Sequence, residues 1–248
     1  MEHKKIVITG ASSGIGELLA RRLAYKCTEL VLVGRNQKKI DELVTSLNLG
    51  GVKASGISFD LANPISQPFL SMLDNTSILI NSAADFGPVK NLLSVTEEEI
   101  LLSFRVNVLA PIALTQAVLP GMMNQGYGRI MNIGSTGGLG GYSLRSPYCL
   151  SKSALLSFTK TLNSEILSGE YGHFEDIKAF YVCPGPVKGE RLEKQIVSRA
   201  QYKGVSIDTM RQKFEAILNG KVLDPDEVVE KIISLLMPGI TEQELITF

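Results

Sequence analysis

Cysteine and histidine are scarce. The 248-residue chain has three cysteines, Cys27, Cys149 and Cys183, and two histidines, His3 and His173. The cysteines lie far apart and form no C-x-x-C pair, which argues against a zinc site or a disulfide framework. They read as buried thiols in a reducing compartment. Neither histidine has a second ligand at metal spacing, so no metal is expected. Net charge is lacking too: 25 basic residues balance 25 acidic ones. A dedicated nucleic-acid binder would carry a basic excess, so no nucleic-acid partner is expected. No apolar run approaches the roughly 20 residues that span a bilayer. No signal-peptide pattern precedes the first strand. The expectation is a soluble cytoplasmic protein without a membrane partner.

What the chain does have is alternation. Short apolar, β-branched runs at Ile6–Thr9, Leu30–Val33, Lys53–Phe59, Ser77–Asn81, Gly128–Gly134 and Ile177–Cys183 read as strands. Most are apolar throughout, as strands covered on both faces are. Between them lie helical stretches at Ile15–Tyr25, Gln37–Leu47, Ser66–Leu73, Glu97–Gln125 and Pro147–Ser168, with a kink or break expected at Pro111. Strand–helix alternation implies right-handed βαβ units and one parallel sheet. The expected fold class is α/β, a doubly wound, Rossmann-type, three-layer α/β/α domain. Residues 186–223 are polar and helix-like, and read as a substrate lid over the carboxyl ends of the strands. Asp224-Pro225 reads as the N-cap and first residue of another helix. Leu245–Phe248 reads as a short last strand.

The first strand runs into Thr9-Gly10-Ala11-Ser12-Ser13-Gly14-Ile15-Gly16. A strand, a glycine turn and a helix in that order suit a dinucleotide. Gly10 permits the tight turn, Gly14 lets backbone approach a pyrophosphate, and Gly16 lets the helix pack close to the strand. The helix N-terminus offers N–H groups and a positive dipole end. Further along, Tyr148-Cys149-Leu150-Ser151-Lys152 is Y-x-x-x-K, which puts Tyr148 and Lys152 on one helical face. A nearby ammonium favours the phenolate and lowers a tyrosine pKa from about 10. That suits Tyr148 to proton transfer at a carbonyl or alcohol oxygen.

Together these motifs resemble the short-chain dehydrogenase/reductase family, in its branch of about 250 residues. The resemblance runs well over residues 4–190 and loosely beyond. It implies hydride transfer between a nicotinamide and a substrate carbon. It also implies roles for Asn107, Ser135, Tyr148 and Lys152: a relay-water holder, a carbonyl-polarising hydroxyl, a proton donor, and a cation that binds the ribose and activates the tyrosine. Cofactor contacts are implied at Gly10, Ser12, Ser13, Gly14, Ile15, Gly16, Asp60, Leu61, Asn81, Ala83, Tyr148, Lys152, Pro184, Gly185 and Val187. Asn81-Ser82-Ala83-Ala84 departs from the family's N-N-A-G. Pro184–Gly189 reads P-G-P-V-K-G, without the threonine that often follows.

Cofactor choice is read at the end of the second strand, Gly34-Arg35-Asn36. Gly34 stands where NAD-preferring enzymes carry an acid. Arg35 offers a guanidinium to a 2′-phosphate. NADP(H) is therefore the expected cofactor, and reduction of a small ketone or aldehyde the expected reaction. Oxidation of a secondary alcohol is the runner-up, and a non-catalytic cofactor sensor a third reading. The substrate pocket is expected among Asp85–Asn91, Thr136–Arg145 and the lid, with Gly137, Gly138, Gly140 and Gly141 leaving room. Residues 186–223 hold eight basic and four acidic side chains. These read first as solvated helix faces, with attraction of an anionic, for instance carrier-linked, substrate as the alternative. The resemblance implies a homodimer through the two long helices. The tail, residues 238–248, lacks the Gly-rich ending of tetrameric members.

Overall fold

The structure, a computed structural model, describes residues 4–219, 221–237 and 245–247. Its elements run β1 (Lys5–Thr9), α1 (Gly14–Leu23), β2 (Glu29–Gly34), α2 (Gln37–Leu49), β3 (Ala54–Ser58), α3 (Gln67–Ser71) and β4 (Thr76–Asn81). Then follow α4 (Glu97–Phe104), α5 (Ala110–Gln125), β5 (Gly128–Ile133), α6 (Gly137–Gly140), α7 (Ser146–Ser168) and β6 (Ile177–Cys183). The chain ends with α8 (Glu190–Lys203), α9 (Ile207–Leu218), α10 (Pro225–Ser234) and β7 (Leu245–Thr247). The strands form one parallel sheet in the order β3-β2-β1-β4-β5-β6-β7. This is the doubly wound Rossmann-type arrangement the alternation predicts.

Period-two alternation explains why the strands are apolar throughout. Ile6, Ile8, Leu30, Leu32, Ile78 and Ile80 point to one face, where Leu19, Leu23, Ile40, Val229 and Ile232 of α1, α2 and α10 cover them. Val7, Val31, Val33 and Leu79 point to the other, against Leu114, Val118 and Met122 of α5 and Leu162 and Ile166 of α7. The winding reverses between β1 and β4, whose ends align at Thr9 and Asn81. A crevice at such a reversal is where open α/β sheets bind ligands.

The expected helix Glu97–Gln125 is interrupted. A turn of π-helix, Arg105–Leu109, separates α4 from α5. Pro111 sits in the first turn of α5, where its missing N–H costs little. A capping box of Thr96 and Glu99 starts α4. The continuous segment Glu97–Gln125 is long and apolar enough to cross a membrane, which corrects the expectation of no such run. Its apolar window is 56% buried inside the fold, as the side chains of α5 in the core already require.

Residues 186–223 form α8 and α9, packed as a hairpin around Ile196, Ala200 and Met210. Its two ends meet: Leu223 N donates to Pro186 O at 2.7 Å and Lys188 N to Leu223 O at 3.0 Å. Asp224 caps α10 as expected, accepting from Asp226 N. Of the chain after Met237, only Leu245–Thr247 falls among the described residues, and it pairs with β6.

Candidate active site

The glycine turn is built by close approach. A Cβ at Gly10 would lie 2.7 Å from Ala83 N, and one at Gly16 only 2.4 Å from Gly10 O. Neither position tolerates a side chain without a shift of backbone. Gly14 differs: its φ is +56° and open space faces it. Ser13 precedes α1 without a side-chain cap bond, so the first N–H groups of the helix stay available. Ser12 stands beside the end of β2, and Ile15 packs on the core. Thr9 locks the crevice from below. Its Oγ1 accepts from Ser82 N (3.1 Å) and Ala83 N (3.2 Å), holding β1 against the end of β4.

Around this turn the other expected cofactor residues fall into place unequally. Arg35 is exposed at the end of β2. Asn36 spends its Oδ1 capping α2, accepting from Lys39 N. Asp60 accepts from Ala62 N in a local turn, and Leu61 is buried. Asn81 is buried and donates to Asn132 Oδ1, while its own Oδ1 has no partner among the described residues. An orphaned buried acceptor at the crevice is a group waiting for a donor. Pro184 and Gly185 follow β6, and Val187 bridges to Leu223 at the base of the α8–α9 hairpin. The available helix N-terminus, the open approach at Gly14 and the free acceptor of Asn81 fit a dinucleotide.

Tyr148 and Lys152 share the buried face of α7, with 4% and 2% of their surfaces exposed. Lys152 Nζ donates to Ile133 O at 2.7 Å, at the carboxyl end of β5. Burial, with help from the nearby Arg191 cation, pulls its pKa down to about 7. Ser135 lies just beyond β5, and its Oγ accepts from Gly137 N. Asn107 sits in the π-turn, where its Nδ2 donates to Asp85 O (2.7 Å) and Ser151 Oγ (2.9 Å) and its Oδ1 accepts from Asp85 N (2.8 Å). It thereby ties the loop after β4 to the residue preceding Lys152.

A model of the short chain dehydrogenase family matches residues 4–200. The chain belongs to that family. It is 32% identical to the ketoacyl reductase HetN of Nostoc sp., over 82% of this chain and 70% of the relative. It is 28% identical to a putative ketoacyl reductase of Streptomyces coelicolor, over 96% and 93%. Among solved structures it resembles an actinorhodin polyketide ketoreductase variant with NADPH, with TM-score 0.82 and 26% identity over 99% and 95% of the two chains. It also resembles a short-chain dehydrogenase from Sphingobium yanoikuyae in complex with NADPH, with TM-score 0.71 and 28% identity over 94% and 84%.

Against that family frame, several site neighbours escape sequence reasoning. Tyr181 is fully buried and brackets the backbone of Ser135, donating to its carbonyl at 3.2 Å and accepting from its N–H at 3.1 Å. The same ring fills the space where Cβ atoms at Gly134 and Gly138 would lie. This corrects the idea that the glycine loop leaves room. Gly137 and Gly138 are packed tightly against Tyr142, Cys149 and Tyr181, and only Gly140 and Gly141 face open space. Phe86 stacks on Tyr148 at 5.5 Å between ring centroids. Arg145 lies over the Tyr148 ring and Arg191 over the Phe86 ring. Arg191 stood in the sequence as one of eight basic residues on apparently solvated helices, with nothing to mark it.

Proposed function

We propose that this chain reduces the carbonyl of a small ketone or aldehyde with NADPH, with Tyr148 as the proton donor. The observation that carries the reading is the placement of Tyr148 and Lys152. They lie one helical turn apart on the buried face of α7, at the carboxyl edge of the sheet, beside a glycine turn that fits a dinucleotide. The NADPH-bound relatives and the ketoreductase names among them support the cofactor and the direction.

When bound, the reduced cofactor supplies the hydride. The protein's own groups handle the oxygen. Ser135 Oγ and Tyr148 Oη hold the carbonyl oxygen, and Tyr148 gives it a proton as negative charge develops there. Lys152, as a cation, stabilises the phenolate left behind. Asn107 holds the loop and α7 in register. The α8–α9 hairpin acts as a lid that excludes water. Gly10 to Gly16, Asp60, Leu61, Asn81, Ala83 and Pro184 to Val187 hold the cofactor, with Arg35 at the 2′-phosphate.

The test is Tyr148→Phe, assayed against a neutral ketone panel by NADPH absorbance. The variant should bind NADPH like the wild type and lose about 10²–10⁴ in kcat, the usual worth of a general acid. Wild-type turnover by the variant would refute the assignment.

A further inference from the structure

Two guanidiniums, those of Arg191 and Arg145, lie against Tyr148, and a third, that of Arg199, lies near Arg145. Arg191, on α8, places its guanidinium carbon 3.5 Å from the Phe86 ring centroid, and its Nη2 donates to Tyr148 Oη at 3.3 Å. Arg145, 2% exposed, lies 4.8 Å from the Tyr148 ring centroid; it donates to Phe86 O, and its Nε has no partner among the described residues. Arg199 donates to Ser143 O, and its Nε is also buried without a partner. No ion pair engages any of the three among the described residues, and the acids of α8 are turned elsewhere. Glu190 pairs with Lys194 and Glu193 with Arg211. Burial lowers the affinity of Arg145 and Arg199 for their protons, and Arg145 is opposed further by Arg199 and by Arg191, whose own side chain is exposed. Arginine stays charged regardless. A buried positive charge without an ion pair, as at Arg145, is costly, and the Arg191 guanidinium beside it is open to solvent and so within reach of an anion.

The geometry limits where that anion sits. A carbonyl oxygen accepting from Tyr148 would lie about 3 Å from Tyr148 Oη. The remaining N–H groups of Arg191 are then within a few bond lengths of the carbonyl carbon. They form a planar fork suited to two oxygens of one group. A carrier-linked thioester has no charge so close to its ketone.

Building on the carbonyl-reductase reading, we propose that the substrate is an oxo acid whose free carboxylate lies one to three carbons from the ketone and is held by Arg191. Arg145 and Arg199 supply the surrounding positive field. Arg191 is thus a specificity-determining residue.

The experiment compares 2-oxobutanoate, 3-oxobutanoate and 4-oxopentanoate with their methyl esters, using the full chain and NADPH. For at least one pair, wild-type kcat/KM for the acid should exceed that for the ester about tenfold or more, the worth of one charged hydrogen bond. Arg191→Gln should bring that ratio close to one, and Arg191→Lys should restore part of it. Calorimetric titration of 3-hydroxybutyrate into the protein–NADP⁺ complex repeats the comparison without turnover. Binding should be measurable for wild type and lost in Arg191→Gln, while NADPH binding reports that the variant is folded. Equal acid and ester rates in wild type would overturn the proposal. So would equal losses on both in Arg191→Gln, which would make Arg191 a stabiliser of the Tyr148 phenolate only. Turnover of neutral ketones that depends on Tyr148 but shows no acid preference sinks this inference and leaves the reductase reading standing. If no carbonyl compound is reduced, the reductase reading fails, and the titration alone decides the carboxylate site.

Discussion

At the scale of single residues, Lys152 carries a cation into the core of the site. Its pKa falls from the usual 10.5 to about 7, because burial strips water from the ammonium and Arg191 repels it. In the unfolded chain the same lysine keeps its proton up to about pH 10.4. Between pH 7 and 10.5 the unfolded state therefore binds more protons at this position, so its contribution to stability rises with pH across that window. Below pH 7 both states are protonated, and the full cost of burying the charge is present and constant. Lys152→Met removes this dependence. The difference in unfolding free energy should move in favour of wild type by about 2–3 kcal/mol between pH 7 and 9. Urea unfolding at both pH values reads it, and parallel curves for the two proteins would contradict the buried-cation picture.

Arg35 is a residue-scale case of a different kind. Gly34 leaves no carboxylate at the end of β2; a Cβ there would lie 2.9 Å from Ile40 Cδ1 and 3.0 Å from Ser12 Oγ, so those side-chain ends would have to shift. Arg35 is left exposed as the nearest cation on that strand end. One charged hydrogen bond at an exposed site implies roughly tenfold preference for NADPH over NADH. Arg35→Ala should lose that preference by weakening NADPH, as fluorescence titration of both cofactors would reveal. An unchanged NADPH Kd would remove Arg35 from the site.

At the scale of elements, the two ends of the sheet do different work. The carboxyl end carries Thr9, Asn81, Ser135 and the crevice. The opposite end carries Arg129, fully buried, which donates to Gly128 O and Asp176 O, pairs with the Asp176 carboxylate and reaches Met237 O. This one side chain cinches the starts of β5 and β6 to the segment after α10. Arg129→Ala should cost about 3 kcal/mol of stability by removing a buried guanidinium together with its hydrogen bonds to three carbonyls and to the part-exposed Asp176 carboxylate. Any activity measured well below its melting temperature should stay near wild type, and a large kcat loss would contradict the division of labour.

Element scale is also where legibility in the sequence divides. The strands β1, β2, β4, β5 and β6 were readable to within a residue or so, because burial on both faces forces unbroken apolar runs. The glycine turn and the Tyr148–Lys152 face were readable because local geometry alone requires them. A break in Glu97–Gln125 was readable from Pro111, but its form, a π-turn at Arg105–Leu109, was not. Tyr181 looked like any strand aromatic. Arg191 looked like any charged helix residue, because the fold-back of α8 over Tyr148 is a tertiary fact that sequence periodicity does not carry.

At the scale of the whole molecule, the expectation to be tested is assembly with a second copy. Leu102 and Leu109, near α4 and the π-turn, and Leu150 on the neighbouring α7 are 41%, 56% and 52% exposed. Family resemblance implies that a second copy of this chain covers them, and two-fold dimers are the commonest closed assembly. The same helices hold the site from behind: Asn107 lies in the π-turn, and Tyr148 and Lys152 lie on α7, so pairing the helices would stiffen the groups that do the chemistry. Light scattering at micromolar concentration should give twice the 26.9 kDa chain mass. Leu109→Glu would place a charge in that interface and should shift the protein to monomer, with a lower kcat and an earlier thermal transition. A variant that keeps the dimer mass would move the interface elsewhere, and a stable wild-type tetramer would contradict the dimer.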